Sequence, residues 1–344
     1  MWTPSETLSG AALARVREPA QTFALGLLVR LLTPTSRQRL SVLFLHRVLP
    51  EADPLQPDEL HVAWFSEIMQ LLAEHCAPVS LGEGLALLDR GQLPARAVCV
   101  TFDDGYADNL TVAAPIMARY GVPATVFVAS GFLDGQVMWN DRVIEAVRAV
   151  QDRALDLSDL GLGAHPLDTP AARRLALQAL LNTLKYRPRA QREELTAEIA
   201  RRYVPDLRSP MLSRAQVRAL SDMGVEIGGH TVNHPILTGL SSAQARHEVG
   251  ANKEDLEAIT GDQVRFFAYP NGLPGRDFGP EHCGIVKQMG YQAALTTQSG
   301  VTGKETDRFL LPRFTPWDRT RPRFLLRLVW NMRSPVTGGS GSSA

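Results

Sequence analysis

Apolar residues along this chain gather into short runs separated by longer stretches of helical spacing. Ser41–Leu45 (SVLFL), Val98–Phe102 (VCVTF), Ala124–Ala129 (ATVFVA), Val225–Gly229 (VEIGG), Val264–Tyr269 (VRFFAY) and Tyr291–Thr296 (YQAALT) read as buried strands. Between them, His61–His75 sets Val62, Phe65, Ile68, Met69 and Leu72 at the period of a helix. A second helix is predicted to end at Tyr120-Gly121, and another at Gly290. Ser213 caps a helix that runs to Met223-Gly224, and Ser241 with Gln244 forms a capping box opening a helix to Gly261. Alternating strand and helix units predict a parallel sheet, either a barrel or a doubly wound sheet. Residues 141–212 break the rhythm. They are rich in Ala, Leu, Arg and Glu, and predict a helical insertion with no strand, placed over one end of the core.

Composition narrows the partners. The 344 residues are 44% apolar and 21% charged, with 36 basic and 36 acidic side chains, so the net charge of zero gives no reason to expect nucleic acid. Cys76, Cys99 and Cys283 are too few and too scattered for a disulfide framework and suit a reducing compartment. Residues 1–19 lack the order of a signal peptide, so a cytoplasmic protein is expected. The apolar run Phe23–Val29 is broken by Arg30 and ended by Pro34, short of a ~20-residue membrane span. Residues 20–33, with Arg30, Arg37 and Arg39 in or beside them, read either as a helix packed on the domain or as a peripheral membrane contact. The chain thus divides into an N-terminal helical segment (1–40), a main domain (41–335) and a flexible tail (336–344).

Three predicted strands end in chemistry. Asp103 and Asp104 follow VCVTF, His230 and His234 follow VEIGG, and Tyr269-Pro270-Asn271-Gly272 follows VRFFA. In parallel α/β folds the carboxyl ends of the strands share one face, where active sites are built. Asp104, His230 and His234 form the donor set of a catalytic divalent metal, zinc first, with cobalt or nickel as alternatives. Neighbouring strand residues face opposite ways, so both acids reach one site only if the chain turns, which Gly105 permits. Asp103 is then left to take a proton from a water whose pKa the cation lowers toward ~7. Taken singly, the acids could be a solvated turn and the histidines structural; their convergence favours a site.

TFDDGY with HTVNH resembles the first two motifs of the NodB-type polysaccharide deacetylases, carbohydrate esterase family 4, and YPNG is similar to the third motif in the subgroup with a YPxG signature. The resemblance extends over about residues 41–315. It implies a distorted (β/α)7 barrel and metal-dependent removal of N-acetyl groups from a polysaccharide or its sugar precursor. Asp103 would be the base, Asp104, His230 and His234 the metal ligands, and Tyr269 the residue whose backbone N–H holds the oxyanion. Two family features are displaced. The arginine that buttresses the base is absent from the third motif, where Phe266 or Phe267 stands; Arg265 is one substitute and Arg313 the preferred one. The late Leu-x-His is absent, leaving His46, at the end of SVLFL, as general acid or as a hydrogen-bonded core residue. Trp139 either stacks on a sugar or packs, and His61, His75, His165, His247 and His282 are expected to face solvent. A deacylase of a small or lipid-linked amide, and an inactive glycan-binding homologue, are the alternatives.

Overall fold

The computed structural model describes residues 38–336. Seven strands lie side by side, all parallel and in chain order: β1 (Ser41–Leu45), β2 (Ala97–Phe102), β3 (Ala124–Val128), β4 (Glu226–Gly229), β5 (Phe266–Ala268), β6 (Ala293–Ser299) and β7 (Leu311–Arg313). The sheet curls until Phe314, just past β7, bonds back to β1: Phe44 N donates to Phe314 O (3.0 Å) and Phe314 N to Val42 O (2.9 Å). Ala77–Pro78 adds a short strand at the foot of β2. The barrel was legible, and the choice between barrel and doubly wound sheet falls to the barrel.

Strand side chains alternate between two cores. Val42, Cys99, Phe127, Phe266, Ala268, Ala293 and Leu311 cluster inside with α2 (Leu81–Asp89), while Leu43, Val100, Phe102, Val126 and Phe267 pack outward against helices. The outer helices are α1 (Val62–His75), α3 (Ala114–Tyr120), α7 (Arg214–Asp222), α8 (Ser242–Thr260), α9 (Pro280–Gln288) and α10 (Arg321–Arg333). Both Ser213 and Ser241 close the capping boxes expected of them. Gly228 is required by packing: a Cβ there would lie 2.3 Å from the Phe127 ring that fills the barrel.

The insertion holds α4 (Trp139–Ala149), α5 (Pro170–Lys185) and α6 (Arg189–Tyr203) around a core of its own that includes Val143, Val147, Leu177, Leu180 and Ile199. It is not all helical. Ala154–Leu157 and Gly163–Pro166 form an antiparallel hairpin that seats Leu155 and Leu157 on that core. Trp139 packs here, with the Arg192 guanidinium 4.8 Å above its ring. The solvent-facing reading fails at two histidines. His75 and His282 are buried, and His282 Nδ1 accepts from Gly279 N (3.0 Å) to cap α9. Residues 1–37 and 337–344 lie outside the described residues, so the expected contact through residues 20–33 and nearly all of the tail lie there too. No helix among the described residues is long and apolar enough to cross a membrane.

Candidate active site

At the carboxyl end of β2 the ladder runs one residue further, Asp103 N donating to Leu45 O (2.9 Å). The chain then turns through two left-handed residues, Asp104 (φ +74°) and Gly105 (φ +87°), which brings both carboxylates to one face. Two segments clamp this loop. Ala129 N donates to Asp104 O (3.2 Å), and past the insertion Leu212 N donates to Gly105 O (2.9 Å) while Ala107 N donates to Pro210 O (2.8 Å).

Asp103 is buried against Arg313, whose Nη1 and Nη2 donate to its two oxygens at 2.7 and 2.8 Å. Arg313, 1% exposed, is itself fixed by Nε donating to Thr296 O (2.8 Å) and by the Phe44 ring 4.0 Å beneath it. Burial alone would raise the Asp103 carboxyl; Arg313, then His230, outweigh it and hold it below its ordinary value. Arg265 does not share this place: it pairs with Glu226, at the amino ends of the strands.

His230 and His234 meet Asp104 from β4 and the loop after it. Asp104 Oδ1 lies 3.4 Å from each Nε2, and the donor atoms of the three residues lie within 4.8 Å of one another. Ala268 O, 2.7 Å from His230 Nδ1, accepts a hydrogen bond from that nitrogen and so holds the ring with Nε2 facing Asp104. Burial pushes His234 down to about 4, a neutral imidazole at neutral pH, whereas at His230 the two aspartates overcome burial and raise it. Asp104 Oδ1 is buried with no hydrogen-bond partner. An anionic oxygen orphaned between two imidazole nitrogens is what a divalent cation satisfies, so these residues fit a metal.

The supporting residues were not foreseen. Asn252 of α8 accepts from His230 N (3.0 Å) and donates to Val128 O (3.0 Å). Glu248, one turn earlier, accepts from Val232 N, Asn233 N and Asn233 Nδ2 at 2.8–3.0 Å, fixing the loop in which Thr231 and His234 are left-handed. On the other flank the Tyr106 hydroxyl stands 3.3 Å from both oxygens of Asp141, the third residue of α4, and Arg47 lies 4.5 Å over its ring. Burial pushes the Asp141 carboxyl up to about 7. Both ends of the insertion therefore brace the aspartate loop. The sequence signal was faint: a polar residue inside a helical pattern reads as a solvated face.

His46 is half-buried at the end of β1, its ring 4.6 Å from Phe44. Its ring takes no hydrogen bond among the described residues, and it adds to the fields that lower Asp103 and Asp104. Tyr269 requires a correction. Its backbone N–H donates to Leu295 O (3.1 Å) in the barrel ladder, and its ring stacks on Phe278 at 3.7 Å, so the donor expected to hold an oxyanion is already engaged.

A nearly closed parallel barrel thus carries, at one end, an Asp-His-His donor set able to hold a metal ion beside an arginine-clamped aspartate. The family model described as polysaccharide deacetylase matches residues 90–294, and the chain belongs to that family. Among curated proteins it is similar to YxkH of Bacillus subtilis (strain 168), provisionally named a polysaccharide deacetylase, with 20% identity over 232 residues. That match takes in 67% of this chain and 56% of YxkH, so the chain spans little more than half of that relative. Among solved structures it resembles Streptococcus pyogenes deacetylase PplD in complex with acetate (TM-score 0.57, 18% identity, 85% of this chain and 98% of that one). It also resembles IcaB from Ammonifex degensii (TM-score 0.56, 18% identity, 86% and 97%). These two likenesses establish the barrel fold.

Proposed function

We propose that this protein hydrolyses the acetamide of an N-acetylated polysaccharide or its sugar precursor. The observation that carries the reading is the bidentate Arg313–Asp103 pair beside the unsatisfied Asp104–His230–His234 cluster. Asp104, His230 and His234 would hold a divalent cation, zinc by the match of two imidazoles and a carboxylate, with cobalt or nickel as substitutes. When bound, the cation would supply Lewis-acid polarisation of the amide carbonyl and acidify a water.

The chain's own residues do the rest. Arg313 keeps Asp103 ionised in a buried place, so that its carboxylate accepts the proton of the attacking water. His46, on the same face with a ring that takes no hydrogen bond among the described residues, delivers a proton to the departing amine. With the Tyr269 N–H engaged by Leu295, no role is assigned to it here. The acetate carried by PplD, a protein of the same fold, is the product such a reaction would release. The test is acetate release from N-acetylglucosamine oligomers, with metal content measured on the same sample. Release that stops on chelation and returns with zinc supports the reading; a metal-loaded protein that releases no acetate from any oligomer refutes it.

A further inference from the structure

The segment from Trp317 to Arg333, which follows β7 and forms α10, is unlike the rest of the surface. It exposes three large apolar side chains: Trp317 (60%), Leu326 (48%) and Trp330 (77%), including both exposed tryptophans among the described residues. Within α10 the outward positions are Arg323, Leu326, Arg327, Trp330 and Arg333, spaced as one face of a helix. The opposite face, Phe324, Leu325, Leu328, Val329 and Met332, is buried on the barrel, with Phe324 edge-on to Trp64 of α1.

Charge separates this segment further. Residues 317–333 hold five arginines and one acid, in a chain whose net charge is zero, so the segment is locally basic. Arg321 is paired with Glu67 and Arg327 with Asp318, while Arg319 donates to backbone carbonyls. Arg323 and Arg333 have no ion pair among the described residues, and they bracket Leu326 and Trp330.

We propose that this outward face of α10 docks on an anionic lipid bilayer, Trp330 and Leu326 entering the interface and Arg323 and Arg333 meeting phosphate headgroups. Tryptophan favours the boundary between acyl chain and headgroup, where its ring is in apolar surroundings and its N–H stays wet. Arginine reaches from the same helix face to the phosphates. A second protein is a poorer match, because a stable interface buries about 800 Å² a side and this face offers two apolar side chains on one convex helix. Ser41 Oγ, at the start of β1, donates to Asn331 Oδ1 (2.8 Å) near the end of α10, so α10 runs back from β7 toward the amino ends of the strands, away from the candidate site. Arg39 Nη1 donates to Met332 O (3.2 Å), which ties the residue two before β1 to the end of the same helix.

The full-length protein is to be co-sedimented with phosphatidylcholine vesicles, with and without phosphatidylglycerol, at low and high salt. Binding is expected only with the anionic lipid, and weakened by salt. The variant Leu326→Ser/Trp330→Ser should lose about tenfold in partitioning, and Arg323→Gln/Arg333→Gln about tenfold or more, both with unchanged circular dichroism and melting. The proposal is overturned by absence of binding, or by equal binding of the Leu326/Trp330 variant, which would assign adhesion to another segment. It is equally overturned if the face instead holds a second copy, seen as a dimer that the same variant abolishes in light scattering.

Discussion

Substituting Arg313 by Met removes the cation that faces Asp103 while keeping much of the side-chain volume. The two hydrogen bonds at 2.7 and 2.8 Å disappear, and a carboxylate only 2% exposed is left beside Asp104. Removing one partner of a buried ion pair costs ~3–5 kcal/mol, because the remaining charge is neither solvated nor paired. Asp103→Asn strands the Arg313 cation in the same way. The double variant contains neither stranded charge, so its destabilisation should fall short of the sum of the singles by ~2–3 kcal/mol. Urea unfolding of the wild type, both singles and the double, followed by circular dichroism at neutral pH, measures this coupling. Effects that add within ~0.5 kcal/mol would show that the pair is not an energetic unit, and the argument that Arg313 sets the charge of Asp103 would fail.

Three further outcomes are expected. Asp141, neutral in the folded state up to about 7 and ionised above ~3.9 when unfolded, makes wild-type stability decline as pH rises from ~4 to ~7. Asp141→Asn should remove on the order of 4 kcal/mol of that decline, read from urea midpoints across the pH range; parallel profiles for the two proteins would contradict the assignment. His46→Gln should lower kcat by ~10²–10⁴-fold while metal content is unchanged, and a variant within threefold of wild type by acetate release would exclude His46 as the acid. Gly229→Ala places a Cβ 2.2 Å from the Tyr291 hydroxyl and 2.7 Å from Asn252 Oδ1, so it should destabilise by ~1–3 kcal/mol and weaken metal binding through His230; a thermal scan with a zinc titration checks both.

The barrel was readable because its strands are short apolar runs that stop at chemistry. SVLFL became β1 residue for residue, and the other predicted strands shifted by only a few residues at their ends. The Asp-His-His cluster was readable for a related reason: strand ends in a parallel sheet must share a face. Arg313 could be proposed from its position after a strand, but its contact with Asp103 depends on closure of β7 onto β1, which no local pattern encodes. The hairpin in the insertion escaped notice because ALDL and GAHP are four residues each, set among strong helix formers. Glu248, Asn252 and Asp141 were passed over since a polar side chain in a helix is ordinarily solvated, and only the packed structure turns these three toward the site. Tyr269 was misjudged because a backbone N–H near a strand end can serve either the ladder or a ligand, and here Leu295 takes it.

The central claim is a division of labour between two adjacent acids: Asp104 belongs to the metal set and Asp103 is the base. Asp103→Asn keeps the shape and leaves Asp104, His230 and His234 in place, so zinc measured by inductively coupled plasma spectrometry on the purified variant should match wild type while acetate release from N-acetylglucosamine oligomers falls to background. A zinc-loaded Asp103→Asn protein that still turns over, or one that has lost its zinc, would contradict that division.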